Sequence, residues 1–208
     1  MFGIHDFGIF LLSCILLNLT PGPDTLYILG RSMAQGRSAG VASALGISTG
    51  SVIHTLAAAF GLSALLATSA SAFLAIKLAG AAYLVYLGAR MLFSRPRESA
   101  VPSGFASSGF SAAFRQGLIT NVLNPKVALF FLAFVPQFIA TDSQEKFTAF
   151  ILLGLSFVTT GTLWCLCLAW FSSMLSNRLR KSNSLSDLLN RTAGAIFIGL
   201  GVRLAATK

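Results

Sequence analysis

Asn18-Leu19-Thr20-Pro21-Gly22-Pro23-Asp24 interrupts an apolar run at residues 7–29. Two prolines around a glycine end a regular helix, because each proline removes a backbone donor and its ring clashes with the preceding turn. A second interruption, Asn121-Val122-Leu123-Asn124-Pro125-Lys126, falls in a later apolar run at residues 117–139. Both runs have the length of about 20 residues that an α-helix needs to cross a bilayer. Carbonyls freed at membrane depth survive only where protein or a water-filled cavity supplies partners. The sequence therefore predicts two broken membrane helices in corresponding positions, the pattern that marks a transport site. Two unrelated packing kinks are the plainer alternative.

The rest of the chain supports a membrane reading. Of 208 residues, 55% are hydrophobic and 10% charged, with Gly 19 and Phe 18, and the mean hydropathy is +0.78. Soluble domains carry about 25% charged residues, so this composition excludes a soluble enzyme, a secreted domain and a disordered chain. Four more apolar runs, at residues 41–68, 70–93, 147–174 and 188–206, bring the expected spans to six. The last is the weakest, with an uncharged core of 11 residues between Arg191 and Arg203. Arginine stems at its two ends can snorkel to the interface. Cys14, Cys165 and Cys167 lie inside apolar runs without a CxxC pair, which supports neither a disulfide framework nor a zinc site. No Walker or dinucleotide-binding motif is present, so no ATPase activity of its own is expected; the chain is read as no enzyme and as needing no cofactor.

The expected fold is thus an all-α integral membrane protein. The Pro-, Gly- and Ser-rich stretch SRPRESAVPSGFASSGFS at residues 94–111 divides it. We read residues 1–93 as a first three-helix repeat, 94–116 as a flexible cytoplasmic linker and 117–208 as a second three-helix repeat. Three is odd, so the second unit enters the membrane from the opposite face, giving a 3+3 inverted repeat with helices one and four broken. The first run has no basic segment before it and no persuasive cleavage site after it, so it is read as a retained helix.

The net charge of +9 fits the excess of Lys and Arg in cytoplasmic loops, not nucleic-acid binding. Loops after the odd-numbered spans hold Arg31, Arg37, Arg90, Arg95, Arg97, Arg115, Arg178, Arg180, Lys181 and Arg191. The opposite side holds Lys146, Arg203 and Lys208. This asymmetry places both termini outside the cytoplasm.

Two charges fall inside the spans. Asp24 precedes Arg31 by seven residues and Lys126 follows Arg115 by eleven, which sets them about 10 and 16 Å into the membrane. Each must find a partner there. Asp24 could take the α-amino group of a zwitterion and Lys126 its α-carboxylate; the rival reading is a structural bridge between the two. The candidate binding set is Asn18, Thr20, Pro21, Gly22, Pro23, Asp24, Asn121, Asn124, Pro125 and Lys126, with the asparagines as hydrogen-bonding walls. His54 shares a helical face with Ala42, Gly46, Gly50, Ala58 and Gly61, small residues that let helices approach closely. It is a candidate, with Asp24, for proton coupling, or else a satisfied packing residue. Lys77 is read as snorkelling. Trp164, Trp170 and the phenylalanines suit lipid and interface contact. Thr159, Thr160 and Thr162 could line a cavity or bond between helices.

At Leu17 to Asp24 (LNLTPGPD), Leu78 to Gly88 (LAGAAYLVYLG), Gly117 to Phe131 (GLITNVLNPKVALFF) and Gly194 to Ala205 (GAIFIGLGVRLA), the chain resembles the LysE/RhtB family of amino-acid exporters. The resemblance runs through both halves. It implies a six-helix permease of the bacterial inner membrane, exporting amino acids or close derivatives, such as threonine-, homoserine- or lysine-like zwitterions, in exchange for protons. Wider relatives include electron carriers with a cysteine in each half near the proline breaks; this chain has only Cys14 nearby. A divalent-cation exporter and a non-transporting membrane scaffold are the alternatives. A homodimer is expected from the frequency of twofold assemblies.

Overall fold

The computed structural model describes residues 2–68, 70–93 and 109–172, and the helical residues 191, 192, 194, 195, 198, 199, 201, 202, 205 and 206. Proline chemistry sets the first division. Helix α1 (Phe7–Leu19) stops before Pro21, and α2 (Pro23–Gln35) begins with Pro23 at its first position, where a missing N–H costs nothing. The two axes meet at 48°. Helix α3 (Arg37–Ala57) runs through a π-helical turn (Ala58–Leu62) into α4 (Ser63–Thr68), and α5 (Ala70–Phe93) follows. Helix α6 (Phe110–Val122) ends before Asn124, which caps α7 (Pro125–Leu129). A π-helical turn (Phe130–Phe134) and a 3-10 turn (Val135–Phe138) extend α7, and this second pair bends by 46°. The long α8 (Lys146–Trp170) completes the bundle of described elements.

Arg37–Leu65 and Lys146–Trp170 are each long and apolar enough to cross a membrane, and counting each bent pair as one span gives four among the described residues. Helix α5 has 24 residues with the bounds expected for the third span. Most of the sixth expected span, at 188–206, and the linker at 94–108 lie outside the described residues.

Three sequence readings need correction. Residues 110–116, assigned to the linker, form the start of α6. The first broken span extends to Gln35, not to residue 29. Consequently Arg31, counted as a loop residue, lies inside α2 and is only 2% exposed. Its Nε donates to the Tyr27 hydroxyl at 3.1 Å and its Nη2 to Gln116 Oε1. A local charge count cannot anticipate that Gln116 of α6 meets this guanidinium.

The broken pairs pack antiparallel. Phe10 meets Phe134 and Phe138 at ring-centroid distances of 6.3 and 5.2 Å. Further along, Lys126 reaches Leu17 and Thr20, Asn121 reaches Asp24, and Tyr27 bonds Ala113. The breaks therefore face each other. Helix α3 runs parallel to α6, with Gly117 against Ser43 and Gly50 against Asn121. It runs antiparallel to α8, with Gly40 beside Ala169, Ser48 beside Thr162 and Thr55 beside Gly154. Gly61, on the small-residue face expected to pack, meets nothing within 4 Å. Helix α5 lies antiparallel to the last helical residues, Gly88 against Gly194 and Ala81 against Gly201.

Around Phe10, the rings of Phe130, Phe131, Phe134, Phe138 and Phe157 form a buried cluster beyond one side of the breaks. Outward-facing Leu12, Phe60, Leu155 and Leu163 are exposed, as lipid-facing side chains must be. Phe10→Ala removes the centre of the aromatic cluster and is expected to cost about 3 kcal/mol. Thermal unfolding in detergent checks this; an unchanged midpoint would show that the cluster carries no stability.

Candidate functional site

Each break orients one charged side chain. Gly22 is extended (φ −151°, ψ −173°) and turns the chain so that Asp24 sits in the first turn of α2. A carboxylate there is favoured by the positive end of the helix dipole. Asn124 accepts the Lys126 backbone N–H at 3.0 Å, a side-chain cap that starts α7. The Lys126 stem crosses Gly22, where a β-carbon would lie 3.7 Å from Cδ. Its Nζ donates to Leu17 O at 2.7 Å and Thr20 O at 2.9 Å. Those carbonyls belong to the C-terminal end of α1, where the helix leaves acceptors without internal partners. The ammonium thus satisfies oxygens freed by the proline break and meets the negative end of the α1 dipole.

Asp24 Oδ2 accepts from Asn121 Nδ2 at 2.8 Å, and Asn121 Oδ1 accepts from Ser51 Oγ at 3.3 Å. Asp24 and Lys126 do not form an ion pair, since each is held by a different partner. The bridge considered as the rival reading is therefore not made. Between them lies a small cavity of about 50 Å³. Its polar wall includes Asn18, Thr20, Asp24, Asn121, Asn124 and Lys126, and its apolar wall Leu17, Ile47, Val127, Phe157 and Val158.

Of the residues expected from sequence, Asn18, Thr20, Gly22, Asp24, Asn121, Asn124 and Lys126 line this cavity. Pro21, Pro23 and Pro125 shape the breaks without lining it. His54 lies behind Asn121, with Nε2 3.2 Å from the Asn121 carbonyl and its ring stacked on Phe131 at 5.9 Å. Asn121 in turn donates through its side-chain amide to Asp24. Ser48, Ser51, Thr25 and Trp164 also line the cavity and were not anticipated as site residues. Trp164, read as a lipid or interface residue, faces inward instead. Thr162 lines the cavity and donates to Ser48 Oγ at 2.8 Å, tying α8 to α3. Thr160 accepts from Asn18 Nδ2 at 3.3 Å, whereas Thr159 is exposed.

The cavity sits between two closures of different chemistry. On one side is the buried aromatic cluster. On the other, along α2 and α6, the Tyr27 hydroxyl donates to Ala113 O at 3.0 Å, and Arg31 lies over the Tyr27 ring, 5.5 Å from its centroid. Among the described residues, no three His, Cys, Asp or Glu side chains come together as a metal-holding group.

The chain is similar in sequence to several known proteins. The chain is 31% identical over 207 residues to an uncharacterized membrane protein of Pseudomonas aeruginosa, covering 98% of this chain and 96% of that one. It is 28% identical over 206 residues to a leucine efflux protein of Enterobacter sp., covering 99% and 97%. A leucine efflux protein of Klebsiella pneumoniae is also 28% identical, over 207 residues, covering 100% and 98%. No solved structure matches the chain. The description of the LysE type translocator family matches residues 15–208, from before the first break through to the last residue. This apolar chain with two facing helix breaks is an integral membrane protein that belongs to the LysE type translocator family.

Proposed function

We propose that the chain exports neutral amino acids with aliphatic side chains across the bacterial inner membrane, in exchange for protons. The family is one of translocators, not of enzymes. The observation that carries the reading is the Asp24 carboxylate, held by Asn121 on one oxygen beside a cavity where two helix breaks converge. A carboxylate so placed takes the α-ammonium group of cargo, or a proton in its absence. The two cargoes compete for one site, which is what exchange requires. His54 bonds the Asn121 carbonyl and so holds in position the residue whose amide donates to Asp24.

The cavity's walls support an aliphatic side chain. Ile47, Phe157 and Val158 offer it apolar surface. A lysine-like cargo would bring a second cation next to Lys126, with Asp24 as the cavity's one carboxylate. The leucine efflux relatives point the same way.

The proposed architecture is the 3+3 inverted repeat with periplasmic termini. Its support is that α1–α2 against α6–α7, α3 against α8, and α5 against the last helical residues all run antiparallel. An in-plane twofold relates elements in that way.

Cells loaded with labelled leucine, threonine, homoserine and lysine test the function. Leucine is expected to leave faster when the protein is present, and a protonophore is expected to abolish the difference. If lysine leaves and leucine does not, the aliphatic assignment falls. If no amino acid leaves faster although the protein reaches the membrane, the exporter reading falls.

A further inference from the structure

Two buried polar atoms on the cavity walls have no hydrogen-bond partner: Asp24 Oδ1 and Trp164 Nε1. Such atoms are rare in folded proteins, because each forfeits its solvation without replacement. The two are opposite in kind. A carboxylate oxygen accepts, and an indole N–H donates and cannot accept. They stand on different helices, α2 and α8, and do not bond each other. A ligand carrying a cationic donor and an anionic acceptor on neighbouring atoms satisfies both. Lys126, the obvious partner for an anion, already has Nζ on two main-chain carbonyls, at 2.7 and 2.9 Å. Withdrawing it to follow a ligand would strip partners from Leu17 O and Thr20 O at membrane depth.

We infer that Trp164 donates its indole N–H to the carboxylate of the transported amino acid, and that Lys126 is a strut for the α1 break. This rests on the exporter reading and changes one assignment within it. The ammonium group binds Asp24 Oδ1 and the carboxylate binds Trp164 Nε1, so the cargo bridges α2 in the first half of the chain to α8 in the second. Lys126 contributes its positive field from the cavity wall without leaving its carbonyls.

The assignment makes the carboxylate, not the side chain, the group that Trp164 reads. Leucinol, which keeps the amine and side chain but lacks the carboxylate, is the discriminating probe. In reconstituted vesicles, Trp164→Phe removes the donor and keeps an aromatic ring. The KM for leucine is expected to rise about tenfold, the loss of one hydrogen bond to a charged group, with the maximal rate little changed. The preference for leucine over leucinol as a competitor is expected to shrink by the same factor. A packing defect would weaken both competitors together.

A second measurement does not depend on that variant folding. The chain has Trp 2, and Trp170 is 57% exposed with Arg37 over its ring. Trp170→Phe leaves Trp164 as the sole indole fluorophore. Its emission is expected to shift on titration with leucine and not with leucinol. Unchanged KM and preference in Trp164→Phe, or equal emission shifts with both ligands, overturns the Trp164 assignment while leaving the exporter reading intact. Failure of the unaltered protein to move any amino acid overturns both.

Discussion

Asp24→Asn is expected to stop export while the protein still folds and reaches the membrane. Asparagine has the same shape, and its amide oxygen can still accept from Asn121 Nδ2, the bond now made at 2.8 Å. The net α3–α6–α2 packing around it is unchanged. What disappears is the negative charge. A hydrogen bond to a charged group is worth about 1.5–3 kcal/mol, so cargo affinity falls about 10- to 100-fold, at tenfold per 1.4 kcal/mol. Proton carriage is lost outright, because an amide does not titrate in water. Coupled export should therefore fall to the background of cells without the protein. Efflux of labelled leucine, normalised to protein in the membrane fraction, measures it. Normal export from the variant removes Asp24 from the mechanism and with it the proposed exchange.

Gly46→Leu has the largest expected effect on the fold. A β-carbon at Gly46 collides with the backbone oxygen of Phe114 and comes within 2.9 Å of the Leu118 nitrogen. Backbone atoms inside a helix cannot swing aside as a side-chain tip can. Gly117 is the reciprocal contact from α6, its β-carbon position 2.5 Å from Ser43 O. Adding a side chain at Gly46 must push α3 and α6 apart over their whole interface, which also carries the Gly50–Asn121 contact and so the bond that holds Asp24. Overpacking costs about 1–3 kcal/mol, and here the upper end applies. A membrane protein extracted in mild detergent reports this by its recovery as a single species and its unfolding temperature. Gly46→Leu should be recovered poorly and inactive. Gly61→Ala, at a position with no atom within 4 Å, should behave as the unaltered protein. Equal recovery of the two would mean that the α3–α6 approach is not what holds the bundle.

Much of the site was readable because its cause is local. Pro21, Pro23 and Pro125 lack backbone donors wherever they stand, and Asn124 before Pro125 is a helix start by its own chemistry. The breaks, Asp24, Lys126 and the asparagines around them follow from that. The bounds of α5 were equally plain, since residues 70–93 form a mostly apolar run, with Lys77 and Arg90 its charges, followed by Arg95 and Pro96. The π-helical turns at Ala58–Leu62 and Phe130–Phe134 carry no such punctuation and left no trace in the reading.

Other features depend on which helix faces meet. Helix α8 is apolar all round, so its sequence has no distinguishable inner face, and Trp164 reads as a lipid residue until Ser48, Thr25 and Asp24 line a cavity with it. Arg31 reads as a loop charge until Tyr27 and Gln116 enclose it. Lys126 reads as a site for a substrate carboxylate, or else as a bridge to Asp24; the structure gives its ammonium the carbonyls of the α1 break. By itself, then, the sequence determined that the chain is a membrane protein and where two of its helices break, because hydropathy and proline geometry act within a few residues. Only the tertiary structure decided which groups each charge serves and which polar atoms face the cavity without a partner, because those partners come from residues about 100 positions away, brought together by packing and not by chain order.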